Sequence, residues 1–533
     1  MKPGAAPIEL SQKDIDEALA QAKPLLPEAV YATLEAVARA YLTVLGLLED
    51  KKLRIARLRR MIFGPSSEKS RGVVGGGEGF PVESANNTPR APKPGHGRNG
   101  AAAYVGAKTE RIKHSRLDDG DPCTGCGKGK VYKDRPGILV RVTGRSPFGA
   151  RIFECEKWRC NACGKIYSAR PPAGVGRRKY DEGAAAMLAL LKYAGGFPFN
   201  RLATLQEAMG IPLPPSTQWD ILRDAAPSFA PVLEELVRLA AQGKLFHNDD
   251  TTMKILERMG LRRKAAAAAA DGKKTERTGV FTSGVLSRVE ERRIALFFTG
   301  PRHAGENLAA VLARRDGELP APIQMCDALS RNLPKELKTI LANCLAHGRR
   351  QFVEVAENFP EECRYVLGLL SSVYKNDGIC KKRGLGDDER LRFHQEHSGP
   401  LMGKLHAWMR TQLAEKKVEP NSGLGGAIGY MLKHWEALTL FLRKAGAPLD
   451  NNEIERALKK AILHRKNSLF YKTDNGARVG DLYMSLIYTC GLAGVDPFDY
   501  LTRIQRNAEA VRARPQQWLP WNYPRGPDLP SPN

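Results

Sequence analysis

Acidic residues are in short supply in this 533-residue chain: 58 Asp and Glu stand against 83 Lys and Arg, a formal net charge of +25 at pH 7. That imbalance calls for a polyanionic partner, and nucleic acid fits best, because neutralising phosphates releases condensed counterions. Cysteine is sparse too, with ten in all, which excludes a disulfide-stapled scaffold. Four of the ten form two close pairs, a spacing that in a reducing compartment indicates metal. No apolar run of about 18 residues occurs, and the opening MKPGAAPIEL has no apolar signal core. Neither a membrane span nor Sec-type export is therefore expected, and a bacterial cytoplasmic, nucleoid-associated location is. With 42% hydrophobic and 26% charged residues the chain is not a disordered tail, and its length suggests about three or four units.

Residues 1–63 read as a helical segment. From Leu34 to Ile62 a heptad runs through Leu34, Val37, Tyr41, Val44, Leu48, Lys51, Ile55, Leu58 and Ile62, with only Lys51 breaking an apolar seam. A short coiled coil and self-association follow from that pattern, although a single amphipathic helix packed on its own domain has the same periodicity. Residues 64–115, rich in Gly, Pro, Ser and Asn, read as a flexible linker. Short strands around the cysteine pairs occupy 116–172. Helices follow over 173–243, where FNRLATLQEAMG, the turn IPLPPS and TQWDILRDAA could form a helix-turn-helix. Its second helix, Thr217 to Arg223, has one basic residue, which favours core packing. Strand-like runs at KLFHNDDTTMKIL, TGVFTSGVLSR, RIALFFTG and APIQMCDA give an α/β pattern over 244–350, and helical periodicity dominates 351–448 as an insertion.

The pairs are C-T-G-C-G at Cys123 and Cys126 and C-N-A-C-G at Cys160 and Cys163, with 33 residues between them. Two residues between thiolates let both sulfurs face one ion, so four would hold tetrahedral zinc, and the glycine after each pair permits the tight turn. GILVRV and ARIFECEKW flank GRSPFG as a hairpin, which makes the unit a zinc ribbon. Cys155, five residues before Cys160, is at the wrong interval and reads as a buried thiol. Arg141, Arg145, Arg151 and Lys157 could touch DNA, or simply be solvated.

Phosphodiester cleavage needs an activated nucleophile and a stabilised leaving oxygen, which two divalent ions can supply when acidic residues from separate elements hold them. Asp249 ends KLFHND, Asp327 ends APIQMCD, and Glu455 opens the helix in LDNNEIERALKKAIL beside Arg456, Lys459 and Lys460. Each carboxylate also has an ordinary reading: the two Asp as strand ends or caps, and Asn452 with Glu455 as a capping box. Their combination points to metal-dependent phosphoryl transfer on nucleic acid.

A resemblance narrows this. RLRRMIFGPSSEKS at Arg57 to Ser70, the two cysteine pairs, HNDDT at His247 to Thr251, IQMCDALSRN at Ile323 to Asn332 and CLAHGRRQF at Cys344 to Phe352 form an ordered series. It continues with GYMLKHWEALTLFL, DNNEIERALKKAILHRKNSLF, SLIYTCGLAGVDPFDYL and LPW at Leu519 to Trp521. The chain resembles the transposase of the insertion-sequence 66 group, a DDE transposase. The resemblance implies a multidomain α/β fold: an RNase H-like mixed-sheet core split into 244–350 and 449–501 by the helical insertion, with 502–533 as tail. It implies Asp249, Asp327 and Glu455 as a catalytic triad holding Mg²⁺ or Mn²⁺, and Arg349, Arg350, Arg465 and Lys466 as DNA contacts. The partners it implies are transposon ends, target DNA, a second copy and accessory proteins of the same element. Departures are Asp250 where the family has Glu, which leaves Asp250 as a competing ligand, Leu345 where Trp is common, and GHGRNG in place of a more basic linker. A non-catalytic DNA-binding descendant, or a nuclease that cuts without joining, remains the alternative.

Overall fold

The computed structural model describes residues 12–40, 109 and, apart from a few single positions, 117–132, 146–172, 178–260 and 277–524. Most of the expected heptad and nearly all of the linker lie outside the described residues. Helix α1 (Gln12–Ala22) is followed by helical residues 28–40, where the seam residues Leu34 and Val37 are 46% and 64% exposed. Tertiary contacts divide the chain into two compact units, 79–147 and the remainder.

In the smaller unit a tight turn surrounds the first cysteine pair. Pro122 bridges Lys130, and the Cys123 N–H donates to Gly129 O at 2.7 Å. The Cys126 thiol is held below its ordinary range, first by the backbone N–H groups of Lys128 and Gly129 and then by Cys123. In the larger unit, Cys163 is exposed in the turn between β1 (Lys157–Arg159) and β2 (Ile166–Ser168), which pair antiparallel; Cys160 lies outside the described residues. The hairpin thus spans the second cysteine pair. Residues 150–156, expected to be its strand, have none, and most of the opposite strand lies outside the described residues.

The larger unit is organised by a five-stranded mixed sheet of β3 (Leu245–Thr252), β4 (Phe281–Val289), β5 (Arg292–Gly300), β6 (Ile323–Cys326) and β7 (Ile340–Asn343). The order is β5-β4-β3-β6-β7, with β3, β4 and β5 antiparallel and β3, β6 and β7 parallel. The antiparallel strands come from the longer strand-like runs, buried at successive positions; β6 is buried at all four positions, as a parallel strand covered on both faces must be. β7 was not foreseen, since four residues are too few to show a period.

Helices α2 (Glu182–Ala189), α3 (Phe199–Ala208), α4 (Pro215–Ala225) and α5 (Ala230–Ala240) precede the sheet, and α6 (Ala304–Leu312) joins β5 to β6. The pair α3–α4 is locked by Gln218, whose Nε2 donates to Phe199 O and Leu213 O at 3.0 and 2.8 Å. On α4, Gln218 and Leu222 are buried, and Arg223 is neutralised by Asp220 and Asp224 at 2.8 and 2.9 Å. Packing is therefore what this helix does. After β7 come α7 (Leu345–Val355), α8 (Pro360–Arg383), α9 (Asp387–His397), α10 (Gly399–Ala414) and α11 (Gly423–Lys433), a helical block whose apolar core also takes in Leu245, Ile323, Met325 and Ala342 of the sheet. The chain then returns to the sheet as α12 (Asn452–Ser468) and α13 (Asp474–Leu492).

Edge strand β5 is covered by α13. The outward N–H groups of Ala295, Phe297 and Thr299 donate to Thr489 Oγ1, Ser485 Oγ and Asp481 Oδ2 at 3.1, 3.0 and 2.6 Å. Acceptors one helical turn apart match donors two strand residues apart, about 5.4 against 6.8 Å, so the helix replaces a missing strand and blunts the edge. Among the described residues no helix is long and apolar enough to cross a membrane.

Candidate active site

Strand β3 carries Asp249 and Asp250 side by side, and the two-residue period of a strand sends them to opposite faces. Asp249 is in register with Gly284 of β4, and Asp250 with Ser283. On the Gly284 face lies α12: a Cβ at position 284 would stand 2.8 Å from Ile454 Cδ1 and 3.2 Å from Leu458 Cδ2. Glycine here lets the helix lie close to the sheet, and this brings the first turn of α12, with Glu455, to Asp249's face.

On the other face Asp250 is fully engaged. Its side chain is only 2% exposed, His303 Nδ1 is 2.9 Å from Oδ2, and Arg331 Nη2 is 3.4 Å from Oδ1. Neither His303 nor Arg331 was legible as a partner in the sequence. Among the described residues Asp249 makes no ion pair of this kind, and its Oδ1 accepts the Asp250 N–H at 2.8 Å. Burial first, and then the charge of Asp327, pushes its carboxyl up to about 7.

Asp327 follows β6 and meets His347 from the first turn of α7. His347 Nδ1 lies 3.0 Å from Asp327 Oδ1 and 3.9 Å from Glu455 Oε1, so one ring nitrogen faces two of the three acidic candidates. Arg350 Nη1 is 3.3 Å from Nε2. Burial by itself would lower this histidine, but Asp327 and Cys344 outweigh it and raise the imidazole to about 10. One donor atom each from Asp327, Cys344 and His347 lie within 4.8 Å of one another.

Although close, these groups are not satisfied. Asp327 Oδ1, His347 Nδ1 and Glu455 Oε1 are buried without an aligned hydrogen-bond partner, so the 3.0 Å approach is a charge contact rather than a well-formed hydrogen bond. One of the ordinary readings does not hold: α12 starts after Asn451 with no side-chain cap, so the Asn452–Glu455 capping box is not formed. Buried carboxylate oxygens with unused lone pairs are the donor set a hard divalent cation takes. Asp327 Oδ1 and Glu455 Oε1 are oxygens of that kind, whereas Asp249 Oδ1 already accepts the Asp250 N–H at 2.8 Å.

The expected cationic contacts divide into two groups. Arg465 Nη1 donates to Thr251 Oγ1 and Thr252 Oγ1 at 3.0 and 2.7 Å, clamping the end of β3. Lys460 Nζ donates to Ala194 O at 3.1 Å, and Arg350 meets His347. Arg349 is half-buried on α7, whereas Arg456, Lys459 and Lys466 are exposed. Lys459 and Lys466 stand about one and three turns beyond Glu455, on its face of the helix.

A match to the transposase IS66 family covers residues 177–479, which takes in the sheet, the helical block and α12. The chain belongs to the IS66 transposase family. Similar sequences include the uncharacterized protein y4hP of Sinorhizobium fredii, 26% identical over 426 residues, covering 76% of this chain and 73% of that one. The uncharacterized protein y4jD of the same organism is 25% identical over 507 residues, 89% of this chain and 94% of its own. No solved structure matches. Membership in the IS66 family makes DNA the expected substrate class, and the match contains all three acidic candidates together with Cys344 and His347.

Proposed function

We propose that the protein is a DNA transposase that binds the terminal inverted repeats of its element and carries out Mg²⁺-dependent strand cleavage and strand transfer through Asp249, Asp327 and Glu455. The observation that carries this is the pair of buried oxygens on Asp327 and Glu455 that face His347 without an aligned hydrogen bond, with the raised carboxyl of Asp249 near Asp327, inside a transposase-family match. The strand order supports reading the sheet as an RNase H-like core, with its acidic residues on the central strand, just past its parallel neighbour, and on a later helix.

Bound divalent ions, Mg²⁺ or Mn²⁺, would lower the pKa of the attacking oxygen and neutralise the leaving one. The protein's part is to fix the carboxylates: β3 holds Asp249, the turn after β6 holds Asp327, and α12 holds Glu455. Water is the first nucleophile at the element end, and the freed 3′-hydroxyl then attacks target DNA in line. His347 keeps Asp327 and Glu455 turned toward one point. Lys459 and Lys466, on the Glu455 face of α12, lie along the path of the DNA backbone, while Arg465 and Lys460 brace the core. Zinc bound by the cysteine turns and a dimer through the heptad would serve end recognition and pairing.

The test is incubation of the purified chain with labelled element ends and a plasmid target, with and without Mg²⁺, followed by mapping of junctions. Joined products only with Mg²⁺ support the proposal. Cut ends without junctions would make the protein a nuclease, and binding without cutting a DNA-binding descendant.

A further inference from the structure

Asn451 has no place in the chemistry above, yet it is fully buried and ties together the elements that carry the acidic residues. Its Nδ2 donates to Asn248 O at 3.1 Å, the carbonyl immediately before Asp249. Its Oδ1 lies 3.0 Å from His247 Nδ1 on the same strand. The Asn451 backbone N–H donates to Cys344 Sγ at 3.2 Å, at the residue that starts α7 and precedes His347 by one turn. Its carbonyl accepts from the N–H groups of Ile454 and Glu455, both at 3.2 Å, so the first turn of α12 hangs from this residue.

The chemistry of these bonds specifies an amide. Asn248 O can only accept, which fixes Nδ2 toward it and leaves Oδ1 facing the histidine. His247 is 3% exposed, and because the amide oxygen facing it can only accept, its Nδ1 must carry the hydrogen. Aspartate would set a carboxylate oxygen against the Asn248 carbonyl, and alanine would leave two buried polar groups unpaired. Asn248 is itself fastened to the Asp327 side, since Gln324 Nε2 on β6 donates to Asn248 Oδ1 at 2.9 Å. One side chain therefore sets the start of α12 against the strand of Asp249 and, through Asn248, against the strand of Asp327.

We infer that Asn451 is a positioning residue for the metal-binding carboxylates, one that holds Glu455 at the distance from Asp249 and Asp327 that divalent-ion binding requires. The inference rests on the reading of Asp249, Asp327 and Glu455 given above. Supporting residues of this kind cost on the order of 10- to 100-fold in metal affinity when replaced.

The experiment titrates Mg²⁺ in the strand-transfer assay with the full chain and measures end binding without Mg²⁺. Asn451→Ala and Asn451→Asp are expected to raise the Mg²⁺ concentration for half-maximal transfer on the order of 10- to 100-fold while end binding is kept. A purely architectural residue would lower the active fraction and leave that half-point where the wild type has it, which would overturn the inference. A second pair keeps the test decisive if the Asn451 variants do not fold. His247→Asn places an amide donor where Nδ1 stood, and His247→Leu removes it at similar size. A half-point raised in His247→Leu and near wild type in His247→Asn supports the inference; equal half-points overturn it. Glu455→Gln separates the two levels: if it still joins strands, both the triad and this inference fall, whereas an inactive Glu455→Gln beside Asn451 variants with wild-type half-points overturns the inference alone.

Discussion

Two places on one sheet treat buried polar groups in opposite ways. Along β5 every outward N–H described above finds an acceptor on α13, and Asp481 also accepts from Thr299 Oγ1 at 2.6 Å, so that edge is saturated. Around the ends of β3 and β6, Asp327 Oδ1, Glu455 Oε1 and His347 Nδ1 are buried without aligned partners. Both places have a raised buried carboxyl, Asp481 and Asp249 each pushed up to about 7 by burial. The contrast teaches that a shifted carboxylate does not by itself mark a reactive site. What separates the two is whether the lone pairs are already used.

The sharpest way to break the comparison is Asp327→Asn. It should reduce strand transfer at least about a thousandfold, since a metal ligand supplies several kcal/mol of transition-state stabilisation. End binding should be kept, and the rise in melting temperature that Mg²⁺ gives the wild type should vanish. Retained joining would count against the triad. Asp481→Ala should do the reverse: a loss of about 1–3 kcal/mol in urea unfolding, because the Thr299 N–H and hydroxyl lose their acceptor, with the Mg²⁺ half-point unmoved. A shifted half-point in Asp481→Ala would mean that the two places are coupled.

The helical block offers a third case, charged and satisfied. Asp377 is 4% exposed and held by Arg390 Nη2 and Lys381 Nζ at 2.6 and 2.7 Å, with His394 at 3.5 Å. Burial alone would raise its carboxyl, but His394, Arg390 and Lys381 outweigh burial and hold it well below the usual carboxylate range. A carboxylate depressed by folding contributes stability above its unfolded pKa of about 3.9, and that contribution is lost as pH falls through and below this value. Asp377→Asn should therefore flatten the acid limb of stability below about pH 4 and lower stability at neutral pH. An unchanged acid limb would refute the assignment. Least affected of all should be Arg223→Ala: already neutralised by Asp220 and Asp224, it should change end binding by less than about twofold, as a surface pair of small net energy. A large loss in gel-shift affinity would restore α4 as a recognition helix.

Much of this was legible in advance because it is local. The strand-like runs at 245–252, 281–289 and 292–300 became strands, the buried APIQMC run gave β6, and the periodic stretches after residue 345 became helices. Short β7 escaped for lack of length. Lys157–Arg159, the end of the expected strand, pairs with Ile166–Ser168 across the second cysteine turn, while GILVRV lies outside the described residues.

Composition and motif order, read from residue chemistry alone, determined the polyanion partner class, the α/β pattern and the acidic candidates Asp249, Asp327 and Glu455. The sequence could not choose between Asp249 and Asp250, adjacent and chemically identical. Packing sets the two apart, with α12 over Gly284 on the face of Asp249 and His303 with Arg331 beside Asp250 on the other. Packing likewise spent Arg465 and Lys460 inside the fold and gave Asn451 its four tethers. Side-chain type and spacing are properties of a segment, whereas the use of a lone pair depends on which distant segment arrives beside it.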